Sequence, residues 1–191
     1  MAESEAGSSN DTLSNIVALT IAILATFLAL SAIKGGNVAQ AMEQASAERN
    51  NSWAWYQAVR VREDMSTYVL ADLNRSQRNT DAASEEATRL AAEITEQEAE
   101  VGRVRARKDE VQARAQNAET EFAALSIIDD QYDLSTALIS IAMSLLAVCV
   151  LAKAPWLYWF SLLPALAGVG VGVAAMLRIP IQAQMLFAWL S

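Results

Sequence analysis

The sequence predicts an all-α fold with three transmembrane helices and a long antiparallel coiled-coil helical hairpin between the first and second. Three observations carry this expectation. Apolar residues recur with strict 3-4 spacing from Ala87 to Leu125. Three uncharged apolar stretches are each long enough to cross the ~30 Å hydrocarbon layer. Charged residues concentrate between the first two of those stretches, as in a membrane protein with a soluble extension.

The heptad run is the strongest signal. Positions 87, 90, 94, 97, 101, 104, 108, 111, 115, 118, 122 and 125 are apolar except for Gln97 and Lys108. Such spacing keeps one helix face on a partner. A helix of this length (~58 Å at 1.5 Å per residue) needs a second helix to cover its stripe.

In chain order, residues 1–12 read as a disordered polar tail, with Ser9, Asn10 or Asp11 available to cap the following helix. Leu13 to Ile33 is the first span, 13–33. It lacks the basic start and short apolar core of a cleaved signal peptide. Lys34-Gly35-Gly36 marks its exit: a snorkelling cation, then two helix-weakening glycines. Residues 34–133 form the extramembrane hairpin, with its turn near 79–83. From Val38 to Arg78 no proline or glycine interrupts. Its apolar residues (Val38, Met42, Ala45, Tyr56, Val59, Val61, Met65, Tyr68 and Leu73) drift between faces, so this seam is the less regular one. Asp81, Ser84 and Glu85-Glu86 suit a fresh helix start with acids in its first turn. A turn this short makes the two helices antiparallel.

Asp129, Asp130 and Asp133 precede the next apolar run and are expected to cap it; a weak divalent-ion site is the chemical alternative. Residues 134–178 form a transmembrane hairpin, turning at Lys153-Ala154-Pro155, with Trp156, Tyr158 and Trp159 in an interfacial belt. Gly168 and Gly172 have the GxxxG spacing that lets a neighbouring backbone approach. Residues 179–191, with Pro180, Phe187 and Trp189, are expected to lie along the interface.

Several functions lose their parts at this stage. The chain of 191 residues has a net charge of −8 in mixed signs and no His, and its single cysteine, Cys149, lies in an apolar run. Mixed charge argues against a nucleic-acid partner. Zinc, haem and di-iron ligand sets are incomplete, and an intrachain disulfide is impossible. No cofactor and no metal is expected. The spans carry no Asp, Glu, Lys or Arg, so a proton or ion relay has no charged stations. Thr20, Thr26, Ser140 and Ser144 are expected to bond back to their own helices or a neighbour.

The anomaly is Asn51-Ser52-Trp53-Ala54-Trp55-Tyr56-Gln57. Three aromatics in four positions point around much of a helix, so one seam cannot bury them all. A turn near 80–81 brings Trp53, Trp55 and Tyr56 opposite Arg105, Arg107, Lys108 and Asp109, where stacking on the cations contributes ~0.5–2 kcal/mol per close contact. The alternative is a widened hydrophobic contact with other subunits.

The run Asn51–Ala58 also resembles the hallmark of an uncharacterised bacterial membrane family, domain of unknown function 4337. Gly35-Gly36-Asn37 and Tyr132-Asp133-Leu134, with Ala137-Leu138, are similar to that family's other recurring segments. The resemblance covers most of the chain after residue 13. It implies a membrane-anchored helical protein, bacterial in origin, and supplies no activity.

The expected role is therefore structural: a self-associating scaffold, or an accessory subunit of a membrane complex, with no catalysis. Its expected partners are membrane lipids, further copies of itself in a homo-oligomer, or another membrane-protein subunit. The alternative is an oligomeric pore or transport component whose coil controls assembly. Lys34, Arg49, Arg114 and Arg178 against Lys153 place the coil and C-terminus in the cytoplasm and the N-terminus outside, in a bacterial inner (cytoplasmic) membrane.

Overall fold

A computed structural model describes residues 2–180, with side chains from residue 13. It contains three helices and, among the described residues, no strand: α1 (Ala2–Asn79), α2 (Glu85–Ala152) and α3 (Pro155–Met176). All three are long and apolar enough to cross a membrane. The expected disordered tail is helical from Ala2; no proline precedes Leu13 to stop the helix from extending backwards. The tail expected at the interface, 179–191, lies outside the described residues from 181 onward.

The chain divides into two compact units, Met1–Glu43 with Ala123–Ser191, and Gln44–Phe122. In the second unit, α1 and α2 run antiparallel, joined by residues 80–84. That loop is built from its own polar side chains. The Asp81 carboxylate accepts from the Ala83 N–H at 3.2 Å, and the Ser84 Oγ accepts from the Ala87 N–H at 3.1 Å, capping α2. Glu85 and Glu86 occupy its first turn, where the helix dipole favours acids.

All twelve heptad positions from Ala87 to Leu125 are buried or half-buried. On α1 the inward positions also follow an unbroken heptad: Ala45, Arg49, Ser52, Tyr56, Val59, Glu63, Ser66, Leu70, Leu73 and Gln77. This seam is regular in geometry and polar in chemistry. Val59, Val104 and Val111 form its apolar centre, with Trp55 and Tyr56 against them.

In the first unit, faces of all three helices meet in one core of Val17, Leu24, Ile139, Ala142, Leu146, Cys149, Leu157 and Ala165. Two expected breaks are absent. Gly35 and Gly36 lie within α1, and Asp129, Asp130 and Asp133 lie within α2. The acids therefore do not cap a helix. The burial stripe of α2 runs on past them through Ile128, Tyr132, Ser135 and Ile139, so packing holds the helix together there. A Cβ on Gly35 would stand about in van der Waals contact with Tyr132, at 3.4 Å.

The ends of α2 and α3 share one design. Lys153 (φ 50°) and Arg178 (φ 54°) are both left-handed. Behind each, paired backbone bonds close the helix: Lys153 N–H to Val150 O with Ala154 N–H to Cys149 O, and Arg178 N–H to Ala175 O with Ile179 N–H to Ala174 O. This is the Schellman arrangement, in which glycine is the usual left-handed residue. A cation there complements the negative helix end, and a proline follows two residues later in both cases.

Candidate functional site

The three aromatic side chains of the Asn51–Gln57 segment of α1 each have partners within the hairpin. Trp53 donates from Nε1 to the Glu119 carboxylate at 2.8 Å and meets Tyr56 edge-on, ring centres 5.6 Å apart. Trp55 lies under two guanidiniums, Arg107 at 4.8 Å and Arg114 at 5.7 Å. Tyr56 packs on the valine centre. One turn earlier, Arg49 sits 4.1 Å from the centre of the Phe122 ring.

Of the cations expected to stack on the aromatics, Arg107 does so, and Arg105 and Lys108 do not. Both reach Glu63 instead, Arg105 Nε at 3.1 Å and Lys108 Nζ at 2.8 Å. The reason is register. Facing pairs such as Trp53–Glu119 and Arg49–Phe122 centre on the start of α2, later than a turn at 80–81 implies. Lys108 therefore lies across from a carboxylate, one turn beyond the indoles.

That placement explains the break in the α2 seam. Lys108 and Glu63 are half-buried seam residues that neutralise one another. The Lys108 ammonium, by hydrogen bonding above all, holds the Glu63 carboxyl below its ordinary value, against the opposing effect of burial. Reciprocally, Glu63 pushes the Lys108 ammonium up. Glu100 is held down in the same way by Arg103 and then Arg62. A groove of about 340 Å³ beside Trp55 is lined by Arg62, Arg103 and Arg107. All three cations already meet carboxylates there, Glu100 for the first two and Glu110 for Arg107.

Gly168 and Gly172 also serve contacts inside the chain. A Cβ on Gly168 would stand 2.8 Å from Ile139 Cγ1 and 3.1 Å from the Ile139 backbone nitrogen. A Cβ on Gly172 would stand 2.5 Å from Ser135 Oγ and 2.9 Å from the Phe27 ring. The Ser135 hydroxyl donates to the Gly168 carbonyl at 2.7 Å. The close neighbours of this GxxxG face are thus α2 and α1. The hydroxyls of Thr20, Thr26, Ser140 and Ser144 each donate to the carbonyl four residues back in their own helix.

One polar feature escaped the sequence reading. Lys34, Asn37 and Arg178 line a cavity of about 220 Å³ whose apolar wall includes Val38, Tyr132 and Met176. Gln131, buried on α2, donates to the Ile179 carbonyl at 3.1 Å beside it. Lys34 and Arg178 are far apart in the chain, and each reads alone as a charge at a span end. The three nearby carboxylates do not converge: among the described residues, no group of three His, Cys, Asp or Glu side chains is placed to hold a metal. Burial, reinforced by Asp133 and Asp130, pushes the Asp129 carboxyl up.

Neither a curated protein nor a solved structure matches this chain. The model of one family, described as domain of unknown function (DUF4337), matches residues 13–178, and the chain belongs to that family.

Proposed function

We propose that this is a membrane-anchored structural protein, a self-associating coiled-coil scaffold or accessory subunit of a membrane complex, without catalytic activity. One observation carries the reading. Ala54, Ala58, Val61, Met65 and Tyr68 follow one another at alternating spacings of four and three along α1, and all five are exposed. Val61 is 58% exposed, Met65 64% and Tyr68 77%, with Val69 beside them at 50%. These residues belong to the charged, water-soluble part of the sequence, where lipid does not cover them. A helix whose inner seam is occupied and which carries a second stripe of the same period suits another helix. A second copy of the chain is the occupant we favour, and the bacterial inner membrane, with the coil cytoplasmic, the setting.

The test is the mass of the full chain extracted in detergent, corrected for bound detergent. The expected result is a defined multiple of 20.6 kDa for the wild type and a monomer for the Val61→Glu/Met65→Glu variant. A monomeric wild type, or a variant with unchanged mass, removes self-association through this stripe. The pore reading has less support, because the hydroxyls of Thr20, Thr26, Ser140 and Ser144 are committed to carbonyls of their own helices; conductance in liposomes would restore it.

A further inference from the structure

In the first unit, Lys34 is the first charged residue after the apolar stretch of α1, and Arg178 follows the end of α3. Both line the 220 Å³ cavity, together with Asn37. Two features separate this cavity from the groove beside Trp55. The first is charge balance. Among the described residues, neither Lys34 nor Arg178 belongs to an ion pair. Asp129, Asp130 and Asp133 belong to the same stretch of α2, yet none lines the cavity.

The second feature is the wall. Ile128, Tyr132 and Ala175 form a small buried cluster with Val38 and Met176 against it, and that cluster backs the cavity. Two cations and an amide lining the same cavity as these apolar side chains match a molecule that is anionic at one end and greasy next to it. The volume accommodates a phosphate group and a few neighbouring atoms, and acyl chains would have to run outside it. The guanidinium offers paired donors to phosphate oxygens, and the lysine a point charge. Basic pockets between membrane helices at the headgroup level bind such groups.

We propose that Lys34, Asn37 and Arg178 form a binding site for a phosphate-type anion, either the headgroup of an anionic glycerophospholipid or free phosphate. Arg178 occupies a left-handed position that glycine fills more easily, so Arg178→Gly removes the charge while favouring the native backbone. Lys153 has the same conformation at the end of α2, and Lys153→Gly is therefore the matched control.

The experiment is native mass spectrometry of the full-length protein in detergent, titrated with phosphatidylglycerol or phosphatidylcholine. The wild type should retain phosphatidylglycerol preferentially. The Lys34→Gln/Arg178→Gly variant should bind it at least about tenfold more weakly, and Lys153→Gly should bind as wild type does. Unchanged helicity and cooperative melting at or above the wild-type temperature show that the variant is folded. Inorganic phosphate alone distinguishes the sources. If it raises the melting temperature of the wild type and not of the double variant, and displaces the lipid, the ligand is free phosphate. If lipid binding withstands it, the ligand is the headgroup. Equal retention of the two lipids with no effect of phosphate overturns the site, as does undiminished binding by the folded double variant or equal loss in Lys153→Gly.

Discussion

The guanidinium of Arg107 lies over the indole of Trp55, its Cζ 4.8 Å from the ring centre. The same guanidinium donates to Glu110 at 2.9 Å, so the cation is held in place from its own helix while it covers the ring of the other. A double-mutant cycle of Trp55→Leu and Arg107→Gln, followed by thermal unfolding, should give a coupling of ~0.5–1 kcal/mol. The cycle of Trp55→Leu with Lys108→Gln should be additive, because Lys108 reaches Glu63 instead.

Glu63 makes acid stability a readout of the polar seam. Its carboxyl is held below the ordinary 4.5 by Lys108 first and Arg105 next. The charged form is favoured by folding, so its contribution is complete above pH 4.5 and is lost as pH falls through the depressed folded value. Glu63→Gln should lower the melting temperature at neutral pH and narrow its gap to the wild type in acid. Lys108, whose value is raised above 10.5, contributes below that pH and loses its contribution only as pH rises through the higher folded value. Melting curves across pH check both signs.

The three glycines of α3 should respond unequally to one methyl group. Gly172→Ala and Gly168→Ala meet Ser135, Phe27 and Ile139 at 2.5–3.1 Å, whereas nothing lies within 4 Å of a Cβ on Gly170. Overpacking of this kind costs about 1–3 kcal/mol. Unfolding in mixed micelles should therefore show Gly168→Ala and Gly172→Ala destabilised and Gly170→Ala unchanged.

Lys153→Gly should stabilise the turn between α2 and α3. The left-handed conformation at φ 50° costs an L-residue about 1–2 kcal/mol that glycine avoids. Loss of the cation at the helix end offsets about 0.3–1 kcal/mol of that gain. The expected net effect is a small rise in melting temperature, largest at high salt, where the charge matters least.

The sequence disclosed α2 far better than α1. From Ala87 to Leu125 the seam is apolar at ten of its twelve positions, and all twelve are buried or half-buried. Along α1 the inward seam includes Arg49, Ser52, Glu63, Ser66 and Gln77, while Ala54, Ala58, Val61, Met65 and Tyr68 face outward. Hydrophobicity alone follows the outward stripe, and mixing the two produced the apparent drift. The polar seam is legible only once its partners are known, as when Gln97 donates to the Ser66 carbonyl at 2.9 Å. The hydroxyls of Thr20, Thr26, Ser140 and Ser144 were legible because their bonds are local, four residues back in the same helix. The Lys34–Arg178 cavity was not, since it depends on three helices meeting.

Helix α3 is the shortest of the three and is bounded by Lys153 just before its start and Arg178 just after its end. Its 22 residues reach about 33 Å, scarcely more than the hydrocarbon thickness of an ordinary bilayer. Longer helices absorb a thicker or thinner membrane by sliding or tilting, but α3 has a cation at each limit and no spare length. In a bilayer, α3 is the gauge: membranes that mismatch its 22 residues tilt or strain it first, and the thickness it tolerates sets where this protein is at ease.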